Sequence, residues 1–154
     1  MDNYPLIFTF RDFVAGKGFL AHVTMEGYVL LEEDEMCWMH GVQPGCLTGG
    51  GPNRDAAFQA FKNTYLTILF DVAEEASDFD AFKSELRSLL KQVNVPFERD
   101  WMEARERVRA GGLELEGLPI RKTEKTHPRI FVNLVTSHKA KPSRNALPTL
   151  SQAA

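Results

Sequence analysis

A chain of 154 residues is long enough for one domain with a substantial core and too short for two large ones. It is 44% hydrophobic and 25% charged, ordinary values for a soluble globular protein, and its two cysteines, Cys37 and Cys46, are too few for a disulfide framework. Net charge is −3, but seven bases and one acid (+6) lie from Arg121 onward, leaving 11 bases and 20 acids (−9) before it; so acidic a body argues against the whole domain as a nucleic-acid binder and leaves only its basic end for that role.

The N-terminus MDNYPLIFTF lacks the basic-then-apolar build of a signal peptide. No apolar run approaches the roughly 18 residues that span a bilayer, so no membrane partner is expected. A reducing cytoplasm suits free thiols, and both cysteines, flanked by apolar residues in predicted strands, are expected to be buried.

The first third reads as strands. Phe8 and Phe10 alternate with Thr9 and Arg11; Phe19, Ala21, Val23 and Met25 alternate with Leu20, His22 and Thr24; GYVLL follows at 27–31. The run Glu32, Glu33, Asp34, Glu35 is expected to break that strand as a solvated hairpin turn. Met36, Trp38, His40 and Val42 then share one face of a further strand, with His40 as a packed histidine rather than a ligand. Strands in sequence with short turns predict an antiparallel meander.

The middle reads as helices. From Arg54 to Ala76 there is neither Gly nor Pro, and Phe58, Phe61, Tyr65, Leu69 and Val72 form a stripe at helical spacing, widened by Leu66, Phe70 and Ala73. At 1.5 Å per residue this helix spans roughly 34 Å; it is expected to outreach the strands and pack its far end on other helices. Ser77 offers an N-cap with Asp80 three residues on, ahead of a second stripe, Phe79, Phe82, Leu86, Leu89, Leu90 and Val93. Pro96 separates this from a mostly polar third helix around Glu98 to Arg109, stopped by Gly111 and Gly112.

The last third is looser. ELEGLPIRKTEKTHPR has no periodicity, whereas RIFVNLV at 129–135 predicts a strand that adds to this sheet or to a partner's. The polar, Pro-containing end after it is expected to be disordered.

VQPGCLTGGGPNRDAAFQAF, residues 42–61, raises the possibility of a site. A phosphate loop requires Lys and Ser/Thr directly after its last glycine. Gly45 and Gly50 have the spacing, but Gly51 and Pro52 occupy those two places. The dinucleotide pattern fails as well, since Gly49-x-Gly51 leads to Arg54 where a third glycine is needed. Cys46 as a nucleophile needs a base, and neither His22 nor His40 is tied to it by spacing. Cys37 and Cys46 are nine apart, with no CxxC or HxxxH to hold a metal. The stretch therefore predicts a structural turn, Gly49, Gly50, Gly51 and Pro52, between a short strand and a helix capped by Asn53 or Gly51, with Asp55 in its first turn. No catalytic residue, metal or cofactor is expected.

The same residues carry a resemblance. Strands in a meander, then Pro44-Gly45-Cys46, a short polar strand, and Gly51, Asn53, Asp55 and Ala57 at the head of a long helix resemble the HicB-like antitoxin family, over roughly residues 17–72. Pro52 and Asn53 stand where that family commonly has Asp and Thr, and Ala56 where it has Glu. The resemblance implies a small sheet packed on helices. It also implies a non-enzymatic module that dimerises or assembles further and neutralises a small basic RNA-cleaving toxin. Such modules often regulate their own operon through an added DNA-binding segment, for which no motif is present here.

The expectations are then an α+β fold: a small antiparallel β-sheet (meander) packed against one long helix, with additional helices and a C-terminal strand. The organisation expected is a core at 1–95, a helix-plus-strand extension at 96–135 and a disordered tail at 136–154. Glu32, Glu33, Asp34 and Glu35 would contact a basic toxin, since complementary charge speeds encounter. Alternatives are an oligomeric structural or regulatory domain using RIFVNLV across subunits, or a weak nucleic-acid binder through Arg121, Lys122, Lys125 and Arg129.

Overall fold

The computed structural model describes residues 2–111 and 128–137. In chain order the elements are β1 (Asp2–Gly16), β2 (Phe19–Glu33), β3 (Cys37–Gln43), β4 (Thr48–Gly51), α1 (Arg54–Glu75), α2 (Phe79–Leu90), α3 (Val95–Arg109) and β5 (Arg129–Ser137). The fold is α+β: an antiparallel sheet with three helices and a C-terminal strand.

β1 and β2 form one hairpin of 15 residues a side, paired from Asp2↔Glu33 to Gly16↔Phe19. Its loop is Lys17-Gly18, and Gly18 takes φ 78°, the backbone such a two-residue turn requires. The strands rise about 3.4 Å per residue and so run about 50 Å, longer than α1 at about 33 Å. The helix does not outreach them: its far end lies on the hairpin, where a side chain at Gly16 would stand 2.9 Å from the Ala73 carbonyl.

The outer edge of β2 is shared. Tyr28–Glu33 pair with β3, while Phe19–Glu26 pair with β5, and β3 pairs in turn with β4. RIFVNLV thus completes this chain's own sheet, as a strand that extends to Ser137. Val132 enters the core and Ile130 packs on it, so β5 belongs to the core that residues before 96 begin. Thr136 and Ser137 lie in the strand; the rest of the expected tail, 138–154, is outside the described residues.

Alternation sorts β2 into two faces. Its odd-numbered residues Phe19 to Leu31, with Phe8, Phe10 and Val14 of β1, bury against Phe61, Tyr65 and Leu69 of α1 and Phe82, Leu86 and Leu90 of α2. Edge-on ring pairs such as Phe8–Phe61, 5.2 Å between centroids, key this core. The opposite face receives α3 over part of its length. Trp101 packs with Leu30 and Val42, stacks on Tyr28 at 4.2 Å and donates from Nε1 to the Leu6 carbonyl at 3.1 Å.

Several local expectations change. The acidic run is only half turn: Glu32 and Glu33 remain in β2, and the chain reverses at 34–36. α2 is capped by Asp78, which accepts from Ala81 N at 2.8 Å, rather than by Ser77. Pro96 lies inside the first turn of α3, capped by Asn94, where its missing N–H costs nothing.

The largest correction concerns the glycines. Gly49, Gly50 and Gly51 are not a turn; they are β4, paired as Met39↔Gly49, Trp38↔Gly50 and Cys37↔Gly51. The reason they are glycines is space. A Cβ at Gly49 would stand 2.6 Å from the Ala60 carbonyl carbon, and one at Gly51 would stand 2.5 Å from Ala56 Cβ. α1 lies directly on the backbone of β4, which only a strand without inward side chains permits. The corner itself is Pro52-Asn53, and Asn53 caps α1 by accepting from Ala56 N at 2.9 Å.

Candidate interaction surface

The β2–β3 corner gathers charge and aromatic surface. Arg54, the first residue of α1, reaches back to Glu33, donating from Nε to Oε2 at 2.6 Å and from the Nη2 amino group to Oε1 at 2.8 Å. Its guanidinium also lies 5.6 Å from the centre of the Tyr4 ring, and the Cys37 thiol donates to Glu33 Oε2 at 3.6 Å. These contacts set the acidities. The Arg54 hydrogen bonds hold the Glu33 carboxyl below its ordinary value, and the same pair raises Arg54. Burial, then Glu33, pushes the Cys37 thiol up; burial, then the charges of Asp2 and Glu33, raises Tyr4.

The four acids are therefore not equivalent. Glu33 is held by Arg54, and Glu32 Oε1 lies 3.2 Å from His40 Nε2. Asp34 and Glu35 stand exposed at the turn. Beside them are two large apolar side chains in solvent, Met36 at 42% exposure and Trp38 at 41%.

Trp38, His40 and Val42 lie on the α3 side of the sheet, while Met36 falls in the turn before β3; Cys37 and Met39 supply the main core instead. His40 is packed: it stacks on Phe97 at 4.2 Å with planes 14° apart, and the Trp38 ring lies nearly parallel at 6.1 Å. Trp38 in turn covers Gly50, where a Cβ would stand 2.6 Å from the indole. Exposed acids, a half-exposed indole and a methionine thus meet on a braced corner.

Cys46 is exposed, not buried. After the cis Gln43–Pro44 bond the loop is tied down by Gly45 N donating to Gln92 O at 2.8 Å and Gly41 N donating to Leu47 O at 2.7 Å. Leu47, larger and more apolar, takes the inward place and turns Cys46 out. Among the described residues no group of three or more His, Cys, Asp or Glu is arranged to hold a metal ion, and no helix is long and apolar enough to cross a membrane.

Of the four basic residues singled out for nucleic acid, Arg129 is described. It opens β5, exposed, and its Nε donates to Glu26 Oε1. Arg121, Lys122 and Lys125 lie outside the described residues. Sequence reasoning missed Arg54 and Trp38. A signal for the first existed: an arginine in the first turn of a helix opposes its dipole, so it implies an acidic partner elsewhere. Comparison with known protein families, curated proteins and solved structures finds no match for this chain.

Proposed function

We propose that this chain is a protein-binding module that takes a small basic partner at the β2–β3 corner and carries out no chemistry there. The supporting observation is Trp38, 41% exposed on a strand next to the exposed carboxylates Asp34 and Glu35. Buried Trp anchors ringed by complementary charge carry much of the energy of protein interfaces. Arg54 and Glu33 hold the corner rigid, so little order is lost on binding.

The resemblance of Pro44-Gly45-Cys46 and Gly51, Asn53, Asp55 and Ala57 to HicB-like antitoxins supplies the class of partner: an RNA-cleaving toxin, basic because it grips RNA. The test is co-expression with the product of a small basic reading frame adjacent to this gene. A stable complex that relieves its growth arrest, and that Trp38→Ala with Asp34→Lys disrupts, supports the proposal. A neighbour that arrests no growth and forms no complex at micromolar concentration overturns it.

A further inference from the structure

α3 covers only part of the second sheet face. Beyond it, cross-strand registers place three rows side by side: Phe13, His22 and Asn133; Arg11, Thr24 and Phe131; Thr9, Glu26 and Arg129. Phe13 is 64% exposed and Phe131 48%. Phe13 packs on the His22 ring at 4.7 Å between centroids, and the Arg129 guanidinium lies 5.5 Å from the centre of the Phe131 ring. Arg11 and Asn133 are exposed between them.

We propose that this open face is a platform for single-stranded nucleic acid, a ligand distinct from the protein partner at the β2–β3 corner. Its chemistry matches that ligand in three ways. Two rings on separate strands offer π-faces to bases, and such stacking tolerates any sequence. Thr24 and Asn133 offer neutral donors and acceptors for base edges or a 2′-hydroxyl. The charge has the right sign: Arg11 and Arg129 lie on the face, with one acid, Glu26, that Arg129 already pairs.

Covalent connection strengthens the third point. Directly beyond the ends of β5 the sequence carries Arg121, Lys122 and Lys125 on one side and Lys139, Lys141 and Arg144 on the other, against the single acid Glu124. The most basic part of an acidic protein is thus tethered to its one open aromatic sheet face among the described residues. A second copy of the chain is the weaker occupant, because a self-facing contact would set these arginines against like charge.

The test is fluorescence anisotropy of the full chain with a labelled oligouridylate of about a dozen nucleotides. Binding at low salt that weakens steeply as salt rises is expected. Phe13→Ala and Phe131→Ala should each weaken it roughly 5- to 150-fold, while Phe131→Trp, which keeps a stacking ring, retains it. Both positions are exposed, so circular dichroism and the melting midpoint should stay near the parent. Met36→Ala, at the corner, should leave oligouridylate binding unchanged, which separates this proposal from the protein-partner reading. The proposal is overturned by no binding at low salt, by undiminished binding in the double alanine variant, or by a duplex of equal length binding as tightly. It is also overturned by a two-chain mass in light scattering that the double variant returns to one chain, since a second copy would then own the face.

Discussion

Arg54 clamps Glu33 through two nearly equal hydrogen bonds, 2.6 and 2.8 Å, and thereby joins the start of α1 to the end of β2. Two-point guanidinium–carboxylate pairs are the strong members of their class. Arg54 remains about a third exposed, so solvent moderates the effect. Arg54→Ala should lower unfolding stability by about 1–2 kcal/mol in urea melts at neutral pH. The loss should depend on pH in one direction. Glu33 has a folded-state pKa below its unfolded value, so its contribution is complete above the unfolded carboxylate pKa near 4.3 and disappears as pH falls through the folded value. Parent and variant should therefore differ fully at pH 7 and converge in acid. A gap that persists unchanged below the folded value would locate the role of Arg54 elsewhere.

Two neighbouring glycines should respond differently to alanine. At Gly49 the obstacle is the backbone of α1, Ala60 and Phe61, which cannot step aside without lifting the helix. At Gly50 it is the half-exposed indole of Trp38, free to swing outward. Gly49→Ala should cost roughly 1–3 kcal/mol or more, and Gly50→Ala under about 1 kcal/mol. Equal costs would mean that α1 does not rest on β4 in solution.

Much of this arrangement was legible in the sequence. Alternation in 8–11, 19–25 and 36–42 identified strands, and the 3–4 spacing from Phe58 to Val72 identified α1, because one face of each element is buried and the other is not. Phe58 and Phe70 nonetheless ended half-exposed, while Ala56 took the place against Gly51 of β4. GGG was misread because glycine supports two opposite uses, left-handed turns and backbone contact, and only the position of α1 decides between them. The acidic run appeared uniform for a similar reason: composition does not reveal that Arg54, 21 residues on, holds one carboxylate and His40 another. The open face around Phe13 and Phe131 was beyond reach, since those residues meet only through β2, with more than 100 residues of chain between them.

Tyr65 is fully buried and its hydroxyl has no hydrogen-bond partner. Burial, reinforced by Asp12, raises its pKa well above the ordinary phenol value, so it stays protonated. An unpaired buried hydroxyl carries a desolvation cost of about 1–3 kcal/mol. Tyr65→Phe keeps the ring packing and removes that cost, and should be neutral or stabilising by up to about 1 kcal/mol. A clear loss of stability would show that the hydroxyl is paired in solution.

The two thiols should separate chemically. Cys37 is buried, hydrogen-bonded to Glu33 and raised in pKa; Cys46 faces solvent, with a pKa raised by partial desolvation. Thiolate is the reactive form, so both are slow at neutral pH, but only Cys46 is reachable. A thiol reagent at pH 9 should modify Cys46 in the native protein and both residues in denaturant. Native modification of Cys37 at the same rate would contradict the closed β3–β4–α1 corner.

At the β2–β3 corner, stability and binding should come apart. Asp34 and Glu35 are exposed at the turn, so Asp34→Lys and Glu35→Lys should change stability by no more than about 0.5 kcal/mol. Against a basic partner each reverses an attraction, so association should slow and lose its salt dependence. Trp38→Ala should cost about 1–2 kcal/mol of stability through lost packing over Gly50. It should also weaken the complex at least about 30-fold through faster dissociation, as a central anchor does. Surface plasmon resonance separates the two rates. If the lysine variants leave association untouched, and the alanine variant leaves dissociation untouched, the partner docks away from this corner.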